Sequence, residues 1–150
     1  MAAAEQNLFS RPHIEAWLLD FHATSATLDA EAFLTNFFAE AVEFRYANHP
    51  TITGRDTVKA GFKAQFARLE SMVHEIVYFD VVERESEVKL YQAATIHYVV
   101  KEDDATRDVI TVPGFLTGWL GTEDGRVKLK KVEIYVDVGE VEKRMVEKGL

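Results

Sequence analysis

The first half of the chain carries apolar residues at helical spacing in three places, each after a residue that can start a helix. Pro12 suits the first turn of the first helix, with Ser10 or Arg11 before it, and Asp29 is the expected cap of the second. Asp56 or Thr53 is expected to cap the third. The three apolar stripes are Ile14, Trp17, Leu18 and Phe21; Phe33, Leu34, Phe37 and Phe38; and Val58, Phe62, Phe66 and Leu69.

Alternation of apolar and polar residues predicts strands over the rest of the chain. Residues 42–48 form one, and four long ones follow over 72–82, 88–101, 108–121 and 127–138, with short charged or glycine-containing joints between them. Helices followed by a run of strands indicate an α+β fold, in which the helices cover the apolar face of an antiparallel or mixed sheet. We expect one domain over residues 1–150, with a loose, flexible lead-in over 1–10 and a charged tail over 139–150 that could form a helix.

The amino-acid composition excludes several kinds of site and argues against several kinds of partner. The 150 residues include no cysteine, which excludes disulfides, thiolate metal sites and a cysteine nucleophile. The formal net charge of −8 argues against binding to nucleic acid or to an anionic membrane surface. The one basic cluster, Lys128, Lys130 and Lys131, reads as the solvated side of a strand. Without a transmembrane stretch or a secretory signal, the expected location is the cytoplasm.

The order of elements and three short motifs resemble the nuclear transport factor 2-like superfamily, and within it the SnoaL-like polyketide cyclase group. The motifs are Gly54-Arg55-Asp56-Thr57-Val58 at the third helix, Val112-Pro113 in the fourth strand, and Asp124-Gly125-Arg126-Val127 followed by Ile134-Tyr135-Val136-Asp137. This resemblance implies a cone-shaped α+β barrel, in which the sheet curves around the helices and encloses a pocket. It says little about the reaction, because such folds host enzymes, binding proteins and transport factors.

Two enzyme families within this fold suggest candidate residues. The segment from Tyr46 through Asn48 to Pro50 resembles a motif of limonene-1,2-epoxide hydrolase, where the Tyr and Asn help to position a water. The acidic and basic partners of that enzyme are missing, so the same hydrolysis is not expected. Scytalone dehydratase has two pocket histidines on neighbouring strands, and His74 and His97 fall at similar places.

The resemblance places His97 inward, on the same strand face as Thr95, and His74 shares a face with Met72, Ile76 and Tyr78. We therefore expect His74, His97 and Tyr46 to be catalytic, since histidine exchanges protons near neutral pH and a tyrosine hydroxyl can steady an oxyanion. Each histidine could also be a hydrogen-bonded core residue. The expected substrate-binding residues are Asn48, Trp17, Phe21, Thr95, Phe115 and Trp119, although Asn48 could merely shape a turn and the aromatic residues could be core.

These residues predict a lyase or isomerase, a class that includes dehydratases and cyclases. It would act without metal or organic cofactor on a small apolar molecule of polyketide or terpenoid type. A metal would need three ligands, and only His22 could join His74 and His97. The alternatives are a non-catalytic module that binds an apolar molecule and a structural homodimer with a filled pocket. Whatever the function, apolar residues on both faces of strands such as 90–99 favour a homodimer through the outer sheet face. Arg45 and Glu133 are expected on that face.

Overall fold

The computed structural model describes residues 7–150, and its elements follow the order predicted from the sequence. The helices are α1 (Arg11–Ala26), α2 (Ala30–Phe37), α3 (Arg55–Phe66) and α4 (Gly139–Glu147). The strands are β1 (Phe38–Tyr46), β2 (Ile52–Thr53), β3 (Leu69–Arg84), β4 (Glu87–Val100), β5 (Ile110–Glu123) and β6 (Arg126–Val136). The short strand β2 is the one element that the sequence pattern did not indicate.

The six strands form one mixed sheet in the order β2-β1-β6-β5-β4-β3. The pair β1 and β6 is parallel, and every other neighbouring pair is antiparallel. The predicted α+β class is confirmed. The strand order leaves β2 and β3 at the two edges, so the sheet is open rather than a closed barrel.

Local sequence explains where the first three helices begin. The side chain of Ser10 accepts a hydrogen bond from the His13 amide at the start of α1, and Asp29 accepts one from the Ala32 amide at the start of α2. The expectation of Asp56 or Thr53 as the cap of α3 is wrong, because Gly54 occupies that position with a φ of 98° and no side-chain cap. Glycine adopts this backbone conformation without steric cost.

Helices α1, α2 and α3 cover the inner face of the sheet and bury its apolar side chains. On β4 the alternation is clear, since Leu90, Gln92, Ala94, Ile96 and Tyr98 are all buried. The intervening residues of β4 face outward and are mostly half-buried. Parity along β4 therefore decides which residues can reach the interior.

A bulge in β3 changes the face of the residues after it. The register with β4 shifts between Ile76 and Tyr78, which inserts Val77 as an extra residue. Tyr78 was expected on the same face as His74, but its side chain is 58% exposed and it pairs with Ala93 on the outer face. The strand alternation of period two fails there because it assumes an unbroken ladder.

Side chains in residues 7–10 and 139–150 pack against the rest of the domain. Residues 1–6 of the expected lead-in lie outside the described residues, while Leu8 and Phe9 pack against the core. In the tail, α4 buries Val141 and Met145. The Asp103 carboxylate, whose side chain is only 3% exposed, accepts hydrogen bonds from Arg144 of α4 and from Lys148, the residue that caps this helix.

The solvated position expected for Lys128 is wrong. Lys128 is only 4% exposed, and its ammonium group donates a hydrogen bond to the carbonyl oxygen of Thr35, near the C-terminal end of α2. Helix α2 reaches over this end of β6, so a side chain on the strand meets the C-terminal end of the helix. A cation there satisfies a free carbonyl and faces the negative end of the helix dipole.

Candidate active site

A cavity of about 500 Å³ lies between the three N-terminal helices and the inner face of the sheet. Its walls are mostly aromatic and aliphatic, and the volume is in the usual range for small-molecule sites. This open space counts against the alternative of a structural homodimer with a filled pocket. The apolar lining includes Phe21, Phe33, Phe38, Phe44, Phe62, Phe66, Met72, Ile96, Leu116, Val132, Ile134 and Val136.

The polar part of the wall contains only groups that are neutral or weakly basic. It comprises His22, Ser25, Tyr46, His49, Gln65, His74, Gln92 and Tyr98. None of the lining residues, all within the described range 7–150, is Asp, Glu, Lys or Arg. A buried ion is very costly without a charged partner, so this cavity suits an uncharged ligand.

Two histidines stack against each other in the wall. His22, near the C-terminal end of α1, and His74, on β3, have ring centroids 4.7 Å apart and ring planes 20° apart. Nε2 of His22 lies 2.5 Å from Oε1 of Gln92, on the inner face of β4. Residues of three separate elements therefore meet here, and the contact with Gln92 orients the His22 ring.

Burial keeps both rings uncharged. Loss of hydration lowers the pKa of His74 to about 3, and the neighbouring His22 adds to the effect. Burial likewise lowers the pKa of His22, partly offset by the hydrogen bond with Gln92. His74 is thus a free base at neutral pH, available to accept a proton from a ligand.

Two tyrosines form a second polar group in the cavity. Tyr46 closes β1 and Tyr98 lies on the inner face of β4. Burial raises the pKa of both hydroxyls, and for Tyr46 the nearby Tyr98 raises it further. Both remain protonated at neutral pH and can donate hydrogen bonds, which is the property that an oxyanion requires.

The turn after β1 contributes to the wall, but not through the residue expected. His49 and Pro50 line the cavity, and the amide of His49 donates to the carbonyl of Tyr46 at 3.0 Å to close the turn. Asn48 is exposed at the tip of this turn and does not line the cavity. This exposed turn position fits the alternative that Asn48 merely shapes a turn.

The inward placement of His97 is wrong. Its Nδ1 lies 2.9 Å from the Thr111 hydroxyl and its Nε2 lies 3.1 Å from a carboxylate oxygen of Glu75, all on the outer face. Its neighbours Ile96 and Tyr98 take the inner positions of β4. The two histidines of the predicted pair therefore lie on opposite faces of the sheet.

Two of the remaining predicted residues border the cavity. Phe21 lies in the wall, stacked on Trp17 with ring centroids 5.3 Å apart. Phe115 borders the cavity next to Gly114, while its ring also lies 6.5 Å from that of Tyr135 on the outer face.

The other three predicted residues do not line it. Trp17 is a packing residue whose indole N–H donates to the carbonyl of Val127 at 3.0 Å. Thr95 shares the outer face with His97. The ring of Trp119 lies between the ammonium groups of Lys89 and Lys131, 5.1 and 4.7 Å from its centroid, so it covers the outer face as well.

Three residues of the cavity wall were not among the site residues predicted from the sequence: His22, Gln92 and Tyr98. Gln92 and Tyr98 carried a signal, because they are polar residues on the buried face of a largely apolar strand. His22 carried one as well, because it follows Leu18 by four residues and lies on the buried face of α1. Within residues 7–150, no cluster of three or more His, Cys, Asp or Glu side chains has a geometry that could hold a metal.

Comparison with known proteins leaves the sequence without a matching family. No family model matches the chain. No curated protein matches it either.

Among the described residues, none of the helices has the length and apolar character needed to cross a membrane.

Solved structures give a consistent answer on the fold. A candidate scytalone dehydratase from Novosphingobium aromaticivorans superposes with a TM-score of 0.74 at 19% identity, covering 87% of this chain and 86% of that one. A candidate dehydratase of the NTF2-like family from Streptomyces avermitilis gives 0.68 at 11% identity, with 81% and 91% covered. A hexachlorocyclohexane dehydrochlorinase gives 0.69 at 13% identity, with 87% and 86% covered. The chain therefore has the nuclear transport factor 2-like fold, as its motifs and element order predicted.

Proposed function

We propose that the cavity is the active site of a cofactor-free lyase or isomerase that removes a proton from carbon in a small, uncharged, largely apolar molecule. The observation that carries this proposal is the neutral His74 ring, held against His22 in an apolar cavity that also contains two protonated tyrosines. The similar folds of two candidate dehydratases and a dehydrochlorinase support it, because elimination is the reaction that their names share.

In the first step of the proposed reaction, His74 acts as the base. Its free ring nitrogen takes a proton from the carbon next to a substrate carbonyl, and the C–H electron pair becomes a C=C bond while the carbonyl pair moves onto oxygen. The resulting imidazolium and enolate lie in the same apolar cavity, so their opposite charges stabilise each other. This attraction offsets the weak basicity that burial imposes on His74.

The tyrosines stabilise the enolate oxygen that this step creates. Tyr46 and Tyr98 stay protonated, so either hydroxyl can donate to the developing oxyanion. In an elimination, the bond from the next carbon to the leaving group then breaks, the leaving group takes that electron pair and the proton from His74, and the carbonyl re-forms. In an isomerisation, His74 returns the proton to another carbon and the carbonyl re-forms. Ring compounds of polyketide or terpenoid type fit these requirements, since they are compact, apolar and rich in enolisable carbonyls.

The test measures proton abstraction directly and does not need the natural substrate. Protein is incubated with α-tetralone in heavy water, and incorporation of deuterium beside the carbonyl is followed by proton NMR. We expect the wild-type protein to accelerate exchange and His74→Gln to lose about a hundredfold or more of that acceleration, the usual contribution of a general base.

His97→Gln is the matched control, because it makes the same chemical change on the opposite face of the sheet. It should retain exchange close to wild type. Equal losses in the two variants, or exchange that persists without His74, would contradict the assigned role.

A binding module without catalysis is the second candidate, and one observation favours it. No carboxylate lines the cavity in the described part of the chain, so none can raise the basicity of His74. This candidate predicts that α-tetralone binds, as seen in shifts of the cavity resonances, yet undergoes no accelerated exchange.

We also propose that the outer sheet face joins two copies of the chain. It carries the exposed side chains of Val73, Tyr78 and Tyr135, which are 47%, 58% and 47% exposed. Beside them Arg45 donates to Glu133 at 2.8 Å and to the hydroxyl of Tyr135 at 2.9 Å. Aromatic and arginine side chains of this kind are enriched in protein interfaces.

A further inference from the structure

Two ring nitrogens in the wall of the cavity have no hydrogen-bond partner within the described residues. They are Nδ1 of His22 and Nδ1 of His74. Buried polar atoms are nearly always bonded, so an unpartnered one beside a cavity indicates a position at which a ligand or a water supplies the partner. His22 is the more informative of the two, because its residue is only 8% exposed and its other nitrogen is already engaged.

The contact with Gln92 defines which nitrogen of His22 carries the proton. An amide oxygen can only accept a hydrogen bond, so the ring atom 2.5 Å from Oε1 of Gln92 must be an N–H donor. A neutral imidazole has one N–H, and that proton is on Nε2. Nδ1 of His22 is therefore a bare lone pair that requires a donor.

The surroundings restrict what that donor can be. An ammonium donor would enter a cavity whose lining has no carboxylate to pair with it. A hydroxyl is neutral, small and a good donor to an imidazole nitrogen. The many phenyl rings in the wall favour a flat ring compound as its carrier.

We propose that Nδ1 of His22 accepts a hydrogen bond from a hydroxyl group of the ligand, so that the site selects uncharged ring compounds bearing a phenol, enol or alcohol. This inference deepens the proposed function and rests on it for the use of the cavity as a ligand site. His22 is here a specificity-determining residue, and the proton abstraction stays with His74.

The test compares β-naphthol with β-naphthyl methyl ether, which has the same rings but no hydroxyl proton. Titration calorimetry on the wild-type protein should show the naphthol binding about tenfold more tightly, the value of one hydrogen bond in such a site. NMR of the histidine ring nitrogens should show His22 as the Nε2–H tautomer, with the Nδ1 resonance moving on addition of the naphthol and staying in place with the ether.

The variant His22→Phe should bind both probes with equal affinity. If it does not fold, the NMR measurement on the wild-type protein decides alone. An Nδ1–H tautomer, equal affinities in the wild-type protein, or failure of both probes to bind would overturn the inference. Because deuterium exchange on α-tetralone needs no hydroxyl, loss of selectivity with exchange intact would leave the proposed function standing.

Discussion

At the scale of single residues, the neutral state of His74 makes stability depend on pH. Its pKa is about 3 in the folded protein and ~6.5 in an unfolded chain, so between these values only the unfolded state binds the proton. Stability is therefore fully present above about pH 6.5 and falls as the pH drops. The loss from His74 alone should reach about 2 kcal/mol near pH 5.

Urea unfolding at a series of pH values measures this dependence. His74→Gln should reduce the acid loss of stability by about that amount, and Met72→Leu, on the same strand and face, should keep it. An unchanged pH dependence in His74→Gln would show that the ring is not buried in its neutral form.

The buried Lys128 gives a second residue-scale prediction. Lys128→Ala leaves the Thr35 carbonyl without its partner and should lower the free energy of unfolding by about 1 to 3 kcal/mol. Lys130→Ala removes an exposed lysine two positions away and should change it by less than about 0.5 kcal/mol. Equal effects in thermal or urea unfolding would argue against the helix contact.

At the residue scale, inward-facing positions can be inferred from the sequence where the strand pairing is regular. His74 and Tyr46 line the cavity and follow the apolar alternation of their strands, while their catalytic role stays a prediction. The predicted face of His97 was wrong. Both faces of β4 are largely apolar, so the prediction relied on resemblance to other proteins, and that resemblance indicated the inner face.

At the scale of elements, the contact of α4 with the loop after β4 should control how firmly the C-terminal helix is held. Asp103 accepts from Arg144 and Lys148, and these bonds lower the pKa of its carboxyl group. Asp103→Asn should weaken both contacts and increase amide hydrogen exchange in α4, with little change in β5 and β6. Asp104→Asn, one position along, is the matched control and should leave α4 protected; exchange that rises equally in both variants would contradict the assignment.

Element order and boundaries could be predicted because helical and strand periodicities are long here. The exceptions have physical causes. Strand β2 has two residues, too few for a pattern, and the cap of α3 depends on a backbone angle of Gly54 that no side chain reveals. The bulge at Val77 reversed the face of Tyr78, since an inserted residue leaves no mark in composition.

At the scale of the whole molecule, the outer sheet face predicts a homodimer. Light scattering coupled to size-exclusion chromatography should give twice the chain mass. Ala93→Arg, in the middle of that face, should give the monomer because it buries a charge in the interface. Val146→Arg, at a 75% exposed position on α4, should remain dimeric. A wild-type monomer at micromolar concentration would contradict the proposed interface.

The fold could be predicted at this scale while the site was only partly predicted. Short motifs at turns and helix starts indicate the path of the chain, and solved structures share that path at identities below 20%. The cavity chemistry depends on which side chains meet across α1, β3 and β4, and sequence order does not contain those contacts. The stacked His22 and His74 pair became visible only in three dimensions.

The central claim is that His74, neutral before the reaction begins, removes a proton from carbon inside the cavity. Its most direct test is the pH profile of the deuterium exchange of α-tetralone that depends on His74, measured at saturating ketone between about pH 5 and pH 8. Because burial lowers the pKa of His74 to about 3, the account predicts a rate that stays flat over this range. A rate that falls on acidification with a midpoint near ~6.5 would show an ordinary, hydrated histidine and would contradict the account.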